Sequence, residues 1–230
     1  MLQPSRRLVL TLLATSALAP LAGTAAALTP ARAAQPIYPV NQATRDPALV
    51  KVIAEMLAAA KAKDWKKLAP HVSERIELDF GGGAGRAELG KRLANRAGLW
   101  DELVWVLAHG GSFAKDGAFM APYTFSADIG KLDPFEAGVL VAKAKVHAEP
   151  REDAAVLAEL NRTAVRVVDW KTSGKTPSPF YRRQDWVQVE VAGKRKGWLQ
   201  AKYVRSAVDF RAAIQKVGGV WKMNAFLAGD

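Results

Sequence analysis

The side chains that could do chemistry in this chain are few, and their spacing rules out more than it supports. No cysteine is present, which excludes cysteine peptidases and cysteine transpeptidases. The three histidines, His71, His109 and His147, show no pair at zinc-ligand spacing, so no metal or other cofactor is expected. His109-Gly110-Gly111-Ser112 has the composition of an oxyanion loop, but no Gly-x-Ser-x-Gly elbow supplies a nucleophile. It reads better as a helix ending in a glycine cap. Carboxylate pairs cannot be judged by spacing, because a hydrolytic pair is brought together by the fold. Glu77 and Asp79 share the solvated face of a strand, and Asp101 and Glu102 sit in a first helical turn, where negative charge suits the macrodipole. The run Gly81-Gly82-Gly83-Ala84-Gly85 lies between a strand and a helix, the setting of a phosphate cradle. No Lys-Ser, Lys-Thr or G-x-G-x-x-G follows, so it reads as a flexible connection.

Aromatic side chains are the remaining candidates. In Trp186-Val187-Gln188-Val189-Glu190-Val191 the valines fall on one face of a strand, and Trp186, Gln188 and Glu190 fall on the other. Gly197-Trp198-Leu199 repeats the arrangement, with Leu199 inside and Trp198 outside. Tyr203 follows in a short turn before Val204. Large aromatics on the outside of a small sheet call for a cover, either a ligand or a neighbouring part of the chain. Tyr181, Arg182 and Arg183 stand in the long loop before Trp186, and Lys194, Arg195 and Lys196 add positive charge beyond it.

The elements that position these residues follow from periodicity. Asp46-Pro47 is an N-cap with proline at the first helical position, and Leu49, Ile53, Met56, Leu57 and Ala60 follow at helical spacing. Asp64 caps a second short helix. Ile76, Leu78 and Phe80 alternate as a strand. Helices are expected from Arg86 to about Asn95 and from Leu99 to Ala108. Asp116-Gly117 marks a hairpin turn, and 121–125 continues extended. Residues 46–130 thus read as an α+β domain. The C-terminal hairpin at 208–230, turning at Gly218-Gly219, needs a sheet to join and would complete that domain. Its closing Trp221-Lys222-Met223 and Phe226 faintly resemble the last strand of nuclear-transport-factor-2-like cone folds.

Short strands are predicted over 139–147, 155–160, 164–168 and from Trp186 onward, with His147 on the surface at the rim. The Gly197-Trp198-Leu199…Tyr203-Val204 pattern over 139–206 resembles the bacterial Src-homology-3 (SH3-like) domain, a small all-β barrel. That resemblance implies a groove that docks cell-wall peptides or other proteins, lined here by Trp186, Trp198 and Tyr203. The alternative cover for these rings is the first domain itself.

The N-terminus adds a compartment. Arg6 and Arg7, the apolar run from Leu8 to Leu21 and the small-x-small site Ala31-Arg32-Ala33 read as a signal peptide at 1–33, by the general secretory or the twin-arginine route. Its removal takes three arginines from a net charge of +11 and leaves +8. A periplasmic or extracellular basic protein meets wall polymers, anionic lipid surfaces and acidic proteins, not nucleic acid. No integral span is expected after cleavage. The resemblance, together with the export signal, thus implies a non-enzymatic binding protein of the cell envelope. The alternative is a wall hydrolase using carboxylates such as Asp79 or Glu102.

Overall fold

The computed structural model describes residues 36–81, 83–170 and 186–229. The expected leader at 1–33 lies outside the described residues, and so does the loop holding Tyr181, Arg182 and Arg183. The architecture is mixed α+β, with helices and two sheets.

Local chemistry sets the helices. Asp46 Oδ1 accepts from the Ala48 and Leu49 N–H groups at 3.0 and 3.2 Å, which satisfies donors that the first turn of α1 (Pro47–Lys61) cannot pair internally. Asp64 Oδ1 accepts from Lys67 N–H at 3.1 Å and starts α2 (Trp65–Leu68). β1 (Val72–Glu77), α3 (Arg86–Asn95) and α4 (Leu99–Ala108) follow. Next come β2 (Ser112–Phe113) and β3 (Phe119–Ala121), joined through Asp116-Gly117.

Two expectations need correction here. The strand expected over Ile76, Leu78 and Phe80 begins at Val72 and ends at Glu77. Asp79 folds the chain back on itself beyond it, and Phe80 is exposed. The extended run expected over 121–125 ends at Ala121, where the chain tightens into the 3₁₀ turn Tyr123–Ser126. The Pro122 carbonyl accepts from Phe125 N–H at 3.1 Å and closes that turn.

A seven-stranded sheet is built from β4 (Ala137–Leu140), β5 (Lys143–His147), β6 (Val156–Asn161), β7 (Ala164–Asp169), β8 (Trp186–Val191), β9 (Arg195–Gln200) and β10 (Val204–Ser206). Its strand order is β10-β4-β7-β8-β9-β5-β6. The single strand expected over 139–147 is two strands. β4 pairs with β10 and β7, whereas β5 pairs with β6 and β9, so the chain must change partners at 141–142. β5 meets β9 through one register pair, His147 with Trp198.

The chain then returns to the first sheet. β11 (Arg211–Val217) and β12 (Val220–Leu227) form a hairpin with Gly218 and Gly219 at φ 59° and 82°, the left-handed conformation a two-residue turn demands. β11 pairs antiparallel with β3, and β12 pairs parallel with β1, giving the order β1-β12-β11-β3-β2.

Each sheet has its own core. The first draws on residues before 122 and after 209, including Leu49, Met56, Ile76, Leu103, Phe119, Ile214 and Met223. The second draws only on residues 140–204, among them Leu140, Val146, Val167, Val189, Leu199 and Val204. A sheet that buries one face against itself must curl. Glycine allows the close crossings this needs. A Cβ on Gly138 would lie 2.5 Å from Val204 Cγ2, and one on Gly197 would lie 2.5 Å from Val146 Cγ1. The sheet is nonetheless not a closed barrel, since β10 and β6 stand at opposite ends of the order and no described ladder joins them. Alternation in a sequence assigns faces, but closure depends on tilt and register, which local patterns do not carry.

Helix α4 meets the second sheet at a buried charge cluster. The Arg205 side chain, 3% exposed, places Nη1 and Nη2 at 3.0 and 3.1 Å from Glu102 Oε2. Its Nε lies 3.2 Å from Asp209 Oδ2, an ion-pair separation without hydrogen-bond alignment. The guanidinium carbon sits 3.7 Å from the centroid of the Trp105 ring, which stacks on His109 from its other side. Among the described residues, no helix is long and apolar enough to cross a membrane.

Candidate functional site

The outer face of the curled sheet carries the aromatic residues singled out above. β8 alternates half-buried Trp186, Gln188 and Glu190 with buried Val187, Val189 and Val191. In the β8–β9 ladder Trp186 stands opposite Gln200, and Gln188 stands opposite Trp198. The two indoles are therefore diagonal neighbours on one face. Both are half-buried, and neither belongs to the first core or to the side chains packed against it.

His147 is the neighbour that explains part of this burial. It was expected on the surface at the rim, but it is buried. Its Nδ1 donates to the Ala154 carbonyl at 3.0 Å, and its ring meets Trp186 edge to face at 5.3 Å. The ladder pair with Trp198 and the return of the β5–β6 connection over the imidazole account for the difference.

Tyr203 occupies a different position. It closes the 3₁₀ turn Ala201–Tyr203 after β9, packs against the second core and has the Lys202 ammonium 4.9 Å from its ring centroid. It lines a cavity of about 440 Å³ whose other walls carry Lys143 and Lys145 from β5, Glu159 from β6 and Glu152 from the β5–β6 connection. Gln200 and His147 complete the lining. The structure thus groups Tyr203 with lysines and sets Trp186 and Trp198 on the face beside this cavity, through Gln200 and His147. Lys143, Lys145 and Lys202 were not singled out from the sequence. The signal was present as Lys143-Ala144-Lys145-Val146-His147, an alternation that puts three basic side chains on one strand face.

The carboxylates of the hydrolase alternative have arginine partners. Glu102 is held by Arg205, and Asp79 Oδ2 is 2.7 Å from Arg92 Nη2. Asp79 Oδ1 also accepts from the N–H groups of Gly81 and Gly83 at 3.0 and 2.6 Å. At Gly81 and Gly83 the run expected as a flexible connection is therefore held by Asp79, and a Cβ on Gly83 would collide with the Asp79 carboxylate. The Arg92 hydrogen bond, followed by that from Gly83 N–H, holds the Asp79 carboxyl below its ordinary value of 3.8. A folded-state value below the unfolded one stabilises the protein above 3.8, and the contribution disappears as pH falls through the lower, folded value. Replacing Asp79 with Asn should flatten the dependence of the urea midpoint on pH in that acid range and leave its slope near neutrality unchanged. An equally steep acid dependence in the variant would show that Asp79 does not contribute there.

Among the described residues, no three His, Asp or Glu side chains converge as a metal site requires. Fold and site together define an α+β protein that presents a self-packed sheet with an aromatic outer face beside a cavity of mixed charge. Comparison with family models, with curated proteins and with solved structures finds no match for this chain.

Proposed function

We propose that this chain is an exported, non-enzymatic binding protein of the cell envelope, whose curled sheet acts as an SH3-like recognition module for a cell-wall peptide or glycan or for a protein partner. The observation that carries this reading is the placement of Trp186 and Trp198 as half-buried neighbours on the outer face, with Tyr203 at the adjacent cavity. Aromatic rings in that setting give contact area with little rotamer entropy to lose. Tyr181, Arg182 and Arg183 join the proposal on sequence grounds, as ring surface and as guanidinium groups able to orient an acidic ligand. The net positive charge agrees with an acidic partner and with faster encounter at low salt.

The test is capture of the purified protein by isolated cell-wall sacculi. Trp186→Ala should weaken capture by about tenfold or more, the loss typical of an anchoring aromatic. Circular dichroism and the unfolding midpoint establish that the variant is folded. Undiminished capture by a folded Trp186→Ala protein would remove the groove from the proposal.

A further inference from the structure

The geometry points to a carboxylate-binding subsite in the cavity between the β5–β6 hairpin and the end of β9, where Lys145 and Lys202 hold one carboxylate of a short peptide beside the ring of Tyr203. The inference rests on the binding role proposed above and specifies the chemistry of the ligand. Five charged side chains line the cavity: Lys143, Lys145, Lys202, Glu152 and Glu159. Two of them neutralise each other, since Lys143 Nζ is 2.6 Å from Glu159 Oε2. Glu152 accepts a hydrogen bond from the Gln200 amide. Lys145 and Lys202 have no carboxylate within 4 Å among the described residues; Lys145 stands opposite Glu159 in the β5–β6 ladder and adds to the positive field on it, and Lys202 lies over the Tyr203 ring. Two lysines, Lys145 from β5 and Lys202 from the turn after β9, therefore line a space whose volume lies within the usual range of small-ligand sites.

Charge count selects the kind of anion. The lining holds three lysines against two carboxylates, so the ligand meets a small positive excess and not a strongly cationic wall. Glu152 and Glu159 would repel the second charge of a phosphate monoester, whereas a single carboxylate matches the excess. The donors are lysines, point charges that donate to an anionic oxygen from many directions, so the charge count and not donor geometry selects the carboxylate. The Gln200 amide, next to both the cavity and Trp186, is placed to meet a peptide group of the same ligand.

The experiment is calorimetric titration of the purified protein with acetyl-Ala-Ala-Ala bearing a free C-terminal carboxylate, with the same peptide as its C-terminal amide, and with glycerol phosphate, each to millimolar concentration. The acid should bind at least tenfold more tightly than the amide or glycerol phosphate. That preference should vanish in Lys145→Ala/Lys202→Ala and persist in Lys194→Ala, which alters an exposed turn. Equal binding of acid and amide, no binding of either, tighter binding of glycerol phosphate, or an unchanged preference in the folded double variant would each overturn the subsite. Sacculus capture separates the two readings. Capture lost in Trp186→Ala without acid preference sinks the subsite alone. Acid preference without capture sinks the cell-envelope role and leaves the subsite standing.

Discussion

Replacing Arg205 with Met lowers the stability of the protein by about 3–5 kcal/mol, the usual cost of removing one partner of a buried ion pair. Methionine nearly fills the space of the arginine stem, so lost packing is a small part of the effect. What remains is Glu102 and Asp209, 11% and 6% exposed at their side chains, which lose the guanidinium while Asp209 keeps the Phe210 N–H at 2.7 Å. Stacking on Trp105 is lost at the same time. Glu102→Gln should cost less, because it strands one cation that keeps Asp209 and a neutral amide as partners. Arg205→Met combined with Glu102→Leu should recover part of the loss, since a buried pair replaced by apolar groups is often tolerated. Urea unfolding of the parent, Arg205→Met, Glu102→Leu and the Arg205→Met/Glu102→Leu protein checks this as a double-mutant cycle. An Arg205→Met protein within about 1 kcal/mol of the parent would mean that water reaches the cluster and screens it.

Phe119→Ala should be comparably damaging, at about 3–5 kcal/mol, the range for truncating a fully buried phenylalanine. Phe119 is 1% exposed and lies on β3, between β11 and the edge strand β2, in register with Phe113 on β2 and Ile214 on β11. Its ring meets Phe113 edge to face at 5.6 Å. Gly111 leaves room for it, because a Cβ there would lie 2.9 Å from Phe119 Cζ. The surroundings cannot collapse into the vacated space, since strand ladders fix the backbone on two sides. The Phe119–Ile214 register pair also joins β3 to β11, the segments on either side of the whole second sheet in sequence. Thermal unfolding should therefore show a lowered midpoint for the first core, and an unchanged midpoint would contradict this packing argument.

The parts legible in the sequence were those fixed by neighbours along the chain. Asp46 and Asp64 announced their helices, because a cap needs only the next three residues. Asp116-Gly117 and Gly218-Gly219 announced hairpins for the same reason. The inward valines of β8 followed from alternation alone. What failed depended on residues distant in sequence. The division of 139–147 into two strands is decided by β7, β9 and β10, and the open ends of the second sheet by the register of all seven strands.

The candidate site divides in the same way. Outward Trp186 and Trp198 could be read from period two, and Tyr203 from its turn. The burial of His147 could not, because it depends on the Ala154 carbonyl returning over the ring. Glu102 read as an ordinary first-turn carboxylate because nothing near it in sequence names Arg205. Arg205 itself gave no signal, being one basic residue in a three-residue strand.

The single register pair between β5 and β9 has a consequence for the cavity. Lys143, Lys145, Glu152 and Glu159 ride on one side of that seam, and Lys202 and Tyr203 stand on the other. The cavity is therefore a cleft whose jaws are fastened at its ends, by that pair and by Val141 N–H donating to the Tyr203 carbonyl at 3.0 Å. Any molecule gripped by both jaws acts as a clasp, and the strength of its grip adds to the work of prying the hairpin away. Occupancy and the tightness of the seam become two readings of one equilibrium, so the sheet itself can register that something has been caught.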